Sequence, residues 1–212
     1  MEHTYYTTQL QAGLGLIEET QLLLSEWQFG MSTQELFQTA LASGTFSNIT
    51  ARRLRNIIAE CFAPRYLNPK PQPATWLRQL NYSINASSLK QLFFIYTARA
   101  NLIFRDFITE LYWERYAAGY TELSNEDSRE FVLRATSGGK TKNLWSDTTI
   151  KRLSSYLLSI CVDYNLLKPL TRATRQITPV RLEPCVGIIL AYDLHLQGIT
   201  DNNLLKNHFK GI

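Results

Sequence analysis

Ser146 stands directly before a stretch in which Ile150, Leu153, Leu157, Ile160 and Cys161 recur every three or four positions, the pattern of an amphipathic helix with its cap in place. The same coupling of a capping residue to an apolar stripe returns along the chain. It argues against a sandwich or barrel of short alternating strands, which needs frequent turns. Only 10 Gly and 7 Pro occur in 212 residues, while 45% of the residues are hydrophobic and 12% aromatic. A chain of this composition can bury a core and is expected to be mainly α.

Leu10, Leu14, Ile17 and Leu24 predict an opening helix over Leu10–Trp27, ended at Gly30. Ser32-Thr33-Gln34-Glu35 reads as a capping box, in which the Ser32 hydroxyl accepts from the Glu35 amide while Glu35 reaches back. A short helix with Leu36, Phe37, Ala40 and Leu41 follows, stopped by Ser43-Gly44. Thr50 then caps a helix carrying Leu54, Ile57, Ile58, Cys61 and Phe62, expected to end before Pro64. Two short helices around a glycine-containing connection make a pair of helix-turn-helix type.

The stretch Asn68-Pro69-Lys70-Pro71-Gln72-Pro73 is expected to be a non-helical linker, because alternate prolines remove donors and extend the residues before them. A short helix around Trp76 to Leu80 follows. Ser87-Ser88 is expected to cap a long or broken helix from about Leu89 to Tyr116, closed by Gly119. Ser124-Asn125-Glu126-Asp127 opens the next helix with a cap and two acids suited to the helix dipole, and Ser137-Gly138-Gly139 ends it. After the Ser146 helix, Leu166–Leu170 and Arg175–Arg181 read as two extended arms around Thr171-Arg172-Ala173-Thr174, with Pro169 and Pro179 restricting them to an edge ribbon. A ribbon after a second helix is the winged form of the helix-turn-helix. Glu183-Pro184 opens a closing apolar helix that ends at Gly198, and the tail from Asp201 is expected to add one more short helix.

The architecture that follows is all-α in class: two helix-turn-helix-like modules joined by central helices, the C-terminal one winged by a short β-ribbon. The expected divisions are 1–67, 68–120 and 121–212.

Several chemistries find no motif. Cys61, Cys161 and Cys185 form no CxxC pair and have no histidine at ligand spacing, so neither a zinc site nor a disulfide framework is expected. They read as small buried hydrophobes in a reducing compartment. His3, His195 and His208 lack a nucleophile or carboxylate at motif spacing. Ser137-Gly138-Gly139-Lys140-Thr141 ends like a phosphate-binding loop, but the first glycine is missing and a helix precedes it in place of a strand. The carboxylates show no paired acid and base. No catalytic residue, metal, cofactor or small-molecule substrate is expected. The N-terminus has no basic segment and apolar run of secretory type. Arg99, Arg105 and Asp106 interrupt the most apolar window, Leu92–Phe107, so a membrane span is not expected.

The cations carry more information than the net charge of +4. Arg52, Arg53 and Arg55 fall in the first turns after the Thr50 cap, where a recognition helix presents side chains to a major groove; a solvated helix face reads equally well there. From Arg134 to Arg181, Lys140, Lys142, Lys151, Arg152, Arg172 and Arg175 are among nine basic residues facing only Asp147 and Asp163. They fall in a turn, at a helix start and in the ribbon, three elements that approach duplex DNA together in a winged helix, with Thr148 as a neutral donor. The candidate site is therefore a double-stranded DNA surface. A protein-interaction adaptor and an RNA-binding helical protein remain as alternatives.

Tyr6-Thr7-Thr8 leading to Gly13 and Leu14, Asn48-Ile49-Thr50-Ala51-Arg52-Arg53, Arg105-Asp106-Phe107, Trp145-Ser146-Asp147-Thr148-Thr149 and Tyr164-Asn165-Leu166-Leu167 together resemble the BrxA family of bacterial BREX (bacteriophage exclusion) phage-defence loci. The resemblance implies a cytoplasmic, non-enzymatic accessory protein that binds DNA beside the system's methyltransferase, ATPase and other components. It supplies no catalytic residues. Family members have also been labelled inner-membrane proteins, a label that the interrupted apolar window speaks against.

Overall fold

The computed structural model describes residues 5–199. The sequence expectations for His3, His208 and the tail from Asp201 lie outside that range. The chain is mainly α, with one small antiparallel sheet.

The opening helix is not continuous. A single 3₁₀ turn, Gln9–Ala12, is followed by Gly13-Leu14-Gly15 and then by α1 (Ile17–Glu26). The break is tertiary in origin. The buried Arg65 guanidinium donates to the carbonyls of Gly13 (2.9 Å), Leu14 (3.0 Å) and Gly15 (3.4 Å), and a helix would direct those carbonyls along its own axis. Leu16 adopts a left-handed conformation (φ 49°) to turn the chain into α1.

Helix α2 (Thr33–Ala42) has the expected capping box at Ser32 and Glu35, and α3 (Ala51–Asn56) is capped by Thr50. The expected stop before Pro64 does not occur. Beyond Asn56 the helix widens to π geometry over Ile57–Leu67, with Pro64 inside it and Asn68 N–H donating to the Ala63 carbonyl at 3.0 Å. Bonding to the fifth residue back relieves the clash a proline ring makes in the tighter α spacing. The proline-rich stretch is also partly helical: α4 (Gln72–Leu80) carries Pro73 in its first turn, where a missing N–H costs nothing.

Asn85, in place of the serines at 87 and 88, caps α5 (Ala86–Ala100) by accepting from the Ser88 amide. The central helix is then interrupted at Asn101, whose extended backbone ends α5 and whose side chain caps α6 (Leu102–Phe107). A π turn at Ile108–Tyr112 leads into α7 (Trp113–Ala117). Next come β1 (Glu122–Ser124), α8 (Asn125–Ser137), α9 (Asp147–Asp163), β2 (Leu167–Pro169), β3 (Thr174–Ile177) and α10 (Pro184–Leu196). Ser124 and Asp127 cap α8 reciprocally, and Ser146 caps α9.

Strand β1 is not expected from the sequence. It pairs antiparallel with β3 (Glu122 opposite Gln176, Ser124 opposite Thr174), and β2 pairs with the other edge of β3 (Leu167 opposite Ile177). The sheet order is β1-β3-β2, so the second arm of the ribbon is the central strand. Pro169 ends the edge strand β2, and Pro179 lies beyond β3, as a residue without a ladder donor requires. Three residues are too few to show a period-two pattern, which is why β1 escapes the sequence.

One apolar cluster extends from Tyr6 and Leu10 through Phe62, Phe93 and Phe107 to Leu153, Leu157 and Val186. Residues of the opening, central and closing stretches all contribute to it. Cys61 and Cys161 are buried in this interior, and Cys185 is half-buried; all three are free thiols.

Candidate nucleic-acid interface

Helix α9 turns Ile150, Leu153, Ser154, Leu157, Leu158, Ile160 and Cys161 into the protein. The 3.6-residue period therefore leaves Thr148, Lys151, Arg152 and Ser155 on the outer face, and all four are exposed. Ser155 was missed in the sequence reading, although the same period places it beside Lys151 and Arg152. No ion pair among the described residues involves Lys151 or Arg152. The nearest acid in sequence, Asp147, is engaged: Arg129 of α8 donates to it at 2.8 Å and also lies 3.8 Å from Glu126.

A continuous set of contacts joins this helix start to the ribbon. Asn125 Nδ2 donates to the Arg172 carbonyl (3.1 Å), and Asn125 N–H donates to the Ala173 carbonyl (2.8 Å). Arg129 lies one turn further along α8 from Asn125, on the same face, and from there it reaches Asp147 at the start of α9. The hairpin turn and the first turn of α9 thus border the same stretch of α8. Arg172 is exposed on that turn. Neither Asn125 nor Arg129 is expected in the site from the sequence; their partners lie 47 and 18 residues away, and only the fold brings them together.

The other sequence candidates have different surroundings. Lys142 is exposed in the connection between α8 and α9. Lys140, in the same connection, is committed to acids of the central helix: its ammonium lies 2.8 Å from Glu110 and 3.4 Å from Asp106. Partial burial alone would lower its pKa, but these two carboxylates outweigh that effect and hold it above the usual lysine value. The Tyr6 hydroxyl donates to Asp106 at 2.7 Å, and burial together with that carboxylate holds the phenol protonated. Arg175 is half-buried, and its guanidinium donates to the carbonyls of Thr171 (3.3 Å) and Thr174 (3.2 Å). It braces the turn more than it faces outward.

In the N-terminal group, Arg52 and Arg55 are exposed, with the Arg55 guanidinium 4.7 Å from the Phe37 ring centre. Arg53 is half-buried and donates to the Ala12 carbonyl. Three residues after Ala12, Gly15 N–H donates to Asp163 in the last turn of α9 (3.0 Å). Lys151 lies about 18 Å along the helix axis from Asp163. The fold thus unites the α9 start with the ribbon turn, and no hydrogen bond or ion pair among the described residues links Arg52, Arg53 or Arg55 to them.

Among the described residues no group of histidine, cysteine and carboxylate side chains is placed to hold a metal. No helix there is long and apolar enough to cross a membrane.

Fold and surface together define a mainly α protein with a three-stranded sheet and an exposed basic face at the start of its longest described helix. The chain belongs to the BrxA family: the family model matches residues 4–192. The family is associated with BREX phage defence. Among solved structures the chain is similar to an uncharacterized protein from Magnetospirillum magneticum, with a TM-score of 0.70 and 13% identity over 90% of this chain and 94% of the other. That likeness concerns the fold. No curated protein matches the sequence.

Proposed function

We propose that this chain is a non-enzymatic, cytoplasmic accessory protein of a BREX phage-defence system that binds double-stranded DNA through β1, α8, α9 and the β2–β3 hairpin, used as a winged helix-turn-helix. The observation that carries the reading is the outer face of α9. Lys151 and Arg152 are exposed beside Thr148 and Ser155, and Asp147, the acid nearest to them in sequence, is occupied by Arg129. Cations at a helix start that form no ion pair among the described residues meet phosphates without first breaking one there. Asn125 and Arg129, one turn apart on α8, hold the hairpin turn and the start of α9 respectively, and groove docking by a helix and a wing would use both of those elements.

The non-enzymatic reading is supported by which groups are perturbed. The shifted pKa values belong to phenols and thiols raised by burial, such as Tyr164 and Cys161, and to ion-paired or capping side chains such as Lys140 and Asp127. Each shift has a structural cause in burial, an ion pair or a cap; Lys140 also lines a shallow pocket with Glu110, Glu114 and Arg134, where its ammonium is held by the Glu110 carboxylate.

Mobility shifts of a duplex across a salt series test the proposal. Affinity is expected to fall on a log-log plot with a slope of about −0.9 per neutralised phosphate. Replacement of Lys151, Arg152, Arg172 and Arg175 by Ala is expected to weaken binding with the helical spectrum unchanged. Equal binding by that variant overturns the site, and stronger binding of structured RNA in competition overturns the choice of duplex DNA.

One observation favours a second reading, an adaptor that docks another component of the system. Helix α10 is apolar nearly all round, yet Ile188, Tyr192 and Leu196 are exposed on it, and such a helix is normally covered. Recovery of partner proteins that persists after nuclease treatment, with no duplex shift at low salt, would establish this reading over the first.

A further inference from the structure

The turn between β2 and β3 is only four residues long, Leu170–Ala173, and a turn of that kind is ordinarily a soft part of a protein. Here its backbone is held from several directions. The Thr171 hydroxyl accepts from the amides of Ala173 (3.1 Å) and Thr174 (3.0 Å) and lies 2.8 Å from the Thr174 hydroxyl. The amides of Leu170 and Thr171 both reach the Thr174 carbonyl. Arg175 takes the carbonyls of Thr171 and Thr174, and Asn125 of α8 takes those of Arg172 and Ala173. The carbonyls from 171 to 174 therefore all accept hydrogen bonds.

All four residues of the turn are exposed; Thr171 is tied into the turn's own hydrogen bonds and Ala173 is short, so the two side chains with reach are Arg172 and Leu170, the latter 51% exposed. A phosphate backbone rewards an arginine but gives a leucine nothing. The pair instead has the chemistry of a minor-groove probe. A narrow A·T minor groove concentrates negative potential that draws an arginine inward, and an aliphatic side chain beside it can part a base step and kink the duplex. A rigid turn suits that task, because its backbone is already ordered and only the entropy of the probing side chains is lost when they enter.

We infer that the Leu170–Ala173 turn is a minor-groove reader: Arg172 enters an A·T-rich minor groove while Leu170 wedges against a base step and bends the duplex. This rests on the duplex-binding reading above and adds to it a preferred DNA composition and a deformation. Arg175, Thr171 and Asn125 are positioning residues that hold the turn.

The test pairs two readouts on the full chain: affinity for A·T-rich and G·C-rich duplexes of equal length, and energy transfer between dyes on the duplex ends. The A·T-rich duplex is expected to bind about tenfold more tightly, with its ends drawn together on binding. Arg172→Ala is expected to abolish the preference, and Leu170→Ala to straighten the bound duplex while keeping most of the affinity. Thr171→Val, which keeps shape and charge but loses the hydroxyl, is expected to weaken both effects. Lys151→Ala with Arg152→Ala is expected to lower affinity for both duplexes alike and leave the bend. Equal affinity for the two compositions, with the ends no closer than in free DNA, overturns this inference alone; absence of any duplex binding at low salt overturns the reading beneath it as well.

Discussion

Gly15 and Asp163 are 148 positions apart and are joined by a 3.0 Å hydrogen bond from the glycine amide to the aspartate carboxylate. The approach is close: a Cβ on Gly15 would lie 2.6 Å from the Asp163 Cβ. Tyr164, the next residue, completes the junction. Its hydroxyl lies 3.2 Å from the Gly15 carbonyl and 2.8 Å from the Thr97 hydroxyl. The opening segment is therefore fastened to the end of α9 and to α5 together.

Gly15→Ala is expected to destabilise the protein by about 1–3 kcal/mol, the usual cost of forcing extra volume into a packed contact. Thermal unfolding followed by circular dichroism measures it. A midpoint unchanged within a degree would mean that Asp163 yields without cost.

Arg65 is buried, and its guanidinium faces three carbonyls with no carboxylate among its partners. Arg65→Met is expected to cost about 2–4 kcal/mol, because those carbonyls lose donors inside the protein. Arg65→Lys is expected to rescue little, since a single ammonium cannot reproduce a planar fork. Denaturant titration gives the energies. Limited proteolysis should show earlier cutting near residues 13–16 in the methionine variant than in the wild-type chain.

The cap of α8 predicts a pH dependence. Burial alone would raise the Asp127 carboxyl, but hydrogen bonds from the Ser124 hydroxyl and amide, with Arg115 at 2.7 Å, hold it below the usual aspartate value. A depressed folded-state pKa stabilises above the unfolded value and is lost as pH falls through the folded one. Acid unfolding of the wild-type chain is therefore expected to include a contribution below about pH 4 that Asp127→Asn lacks. The variant should also be less stable at pH 7 by about 1 kcal/mol, a typical capping contribution. Parallel acid titrations of the two proteins decide the matter.

Lys140 and Lys151 should behave oppositely although both were candidates for phosphate contact. Lys140 is tied to Glu110 and Asp106, whereas Lys151 stands exposed on α9. Lys140→Ala is expected to leave the salt slope of duplex binding unchanged. Lys151→Ala with Arg152→Ala is expected to reduce that slope by about 2. The same mobility-shift series measures both, and a reduced slope for Lys140→Ala would reassign that side chain to the interface.

Local chemistry determined much of this protein before any contact formed. Ser32 with Glu35, Thr50, Ser124 with Asp127 and Ser146 cap the helices that follow them, because a cap needs only residues within one turn. The hairpin between Leu167 and Ile177 was legible for a similar reason, its two arms lying either side of a short polar turn. The family resemblance was legible too, in short strings spread along the chain, and the family model matches most of it. The break at Gly13–Gly15, the helix that continues past Pro64 and the strand at Glu122–Ser124 were decided by tertiary structure. Each is stabilised by a partner or a geometry that local sequence does not encode: the Arg65 guanidinium, the π spacing around Pro64, and the free edge of β3. The same holds for the candidate site. Sequence counts cations, but whether a lysine faces solvent or a carboxylate depends on which distant acid the fold delivers to it, and the fold delivered Glu110 and Asp106 to Lys140 while leaving Lys151 and Arg152 exposed.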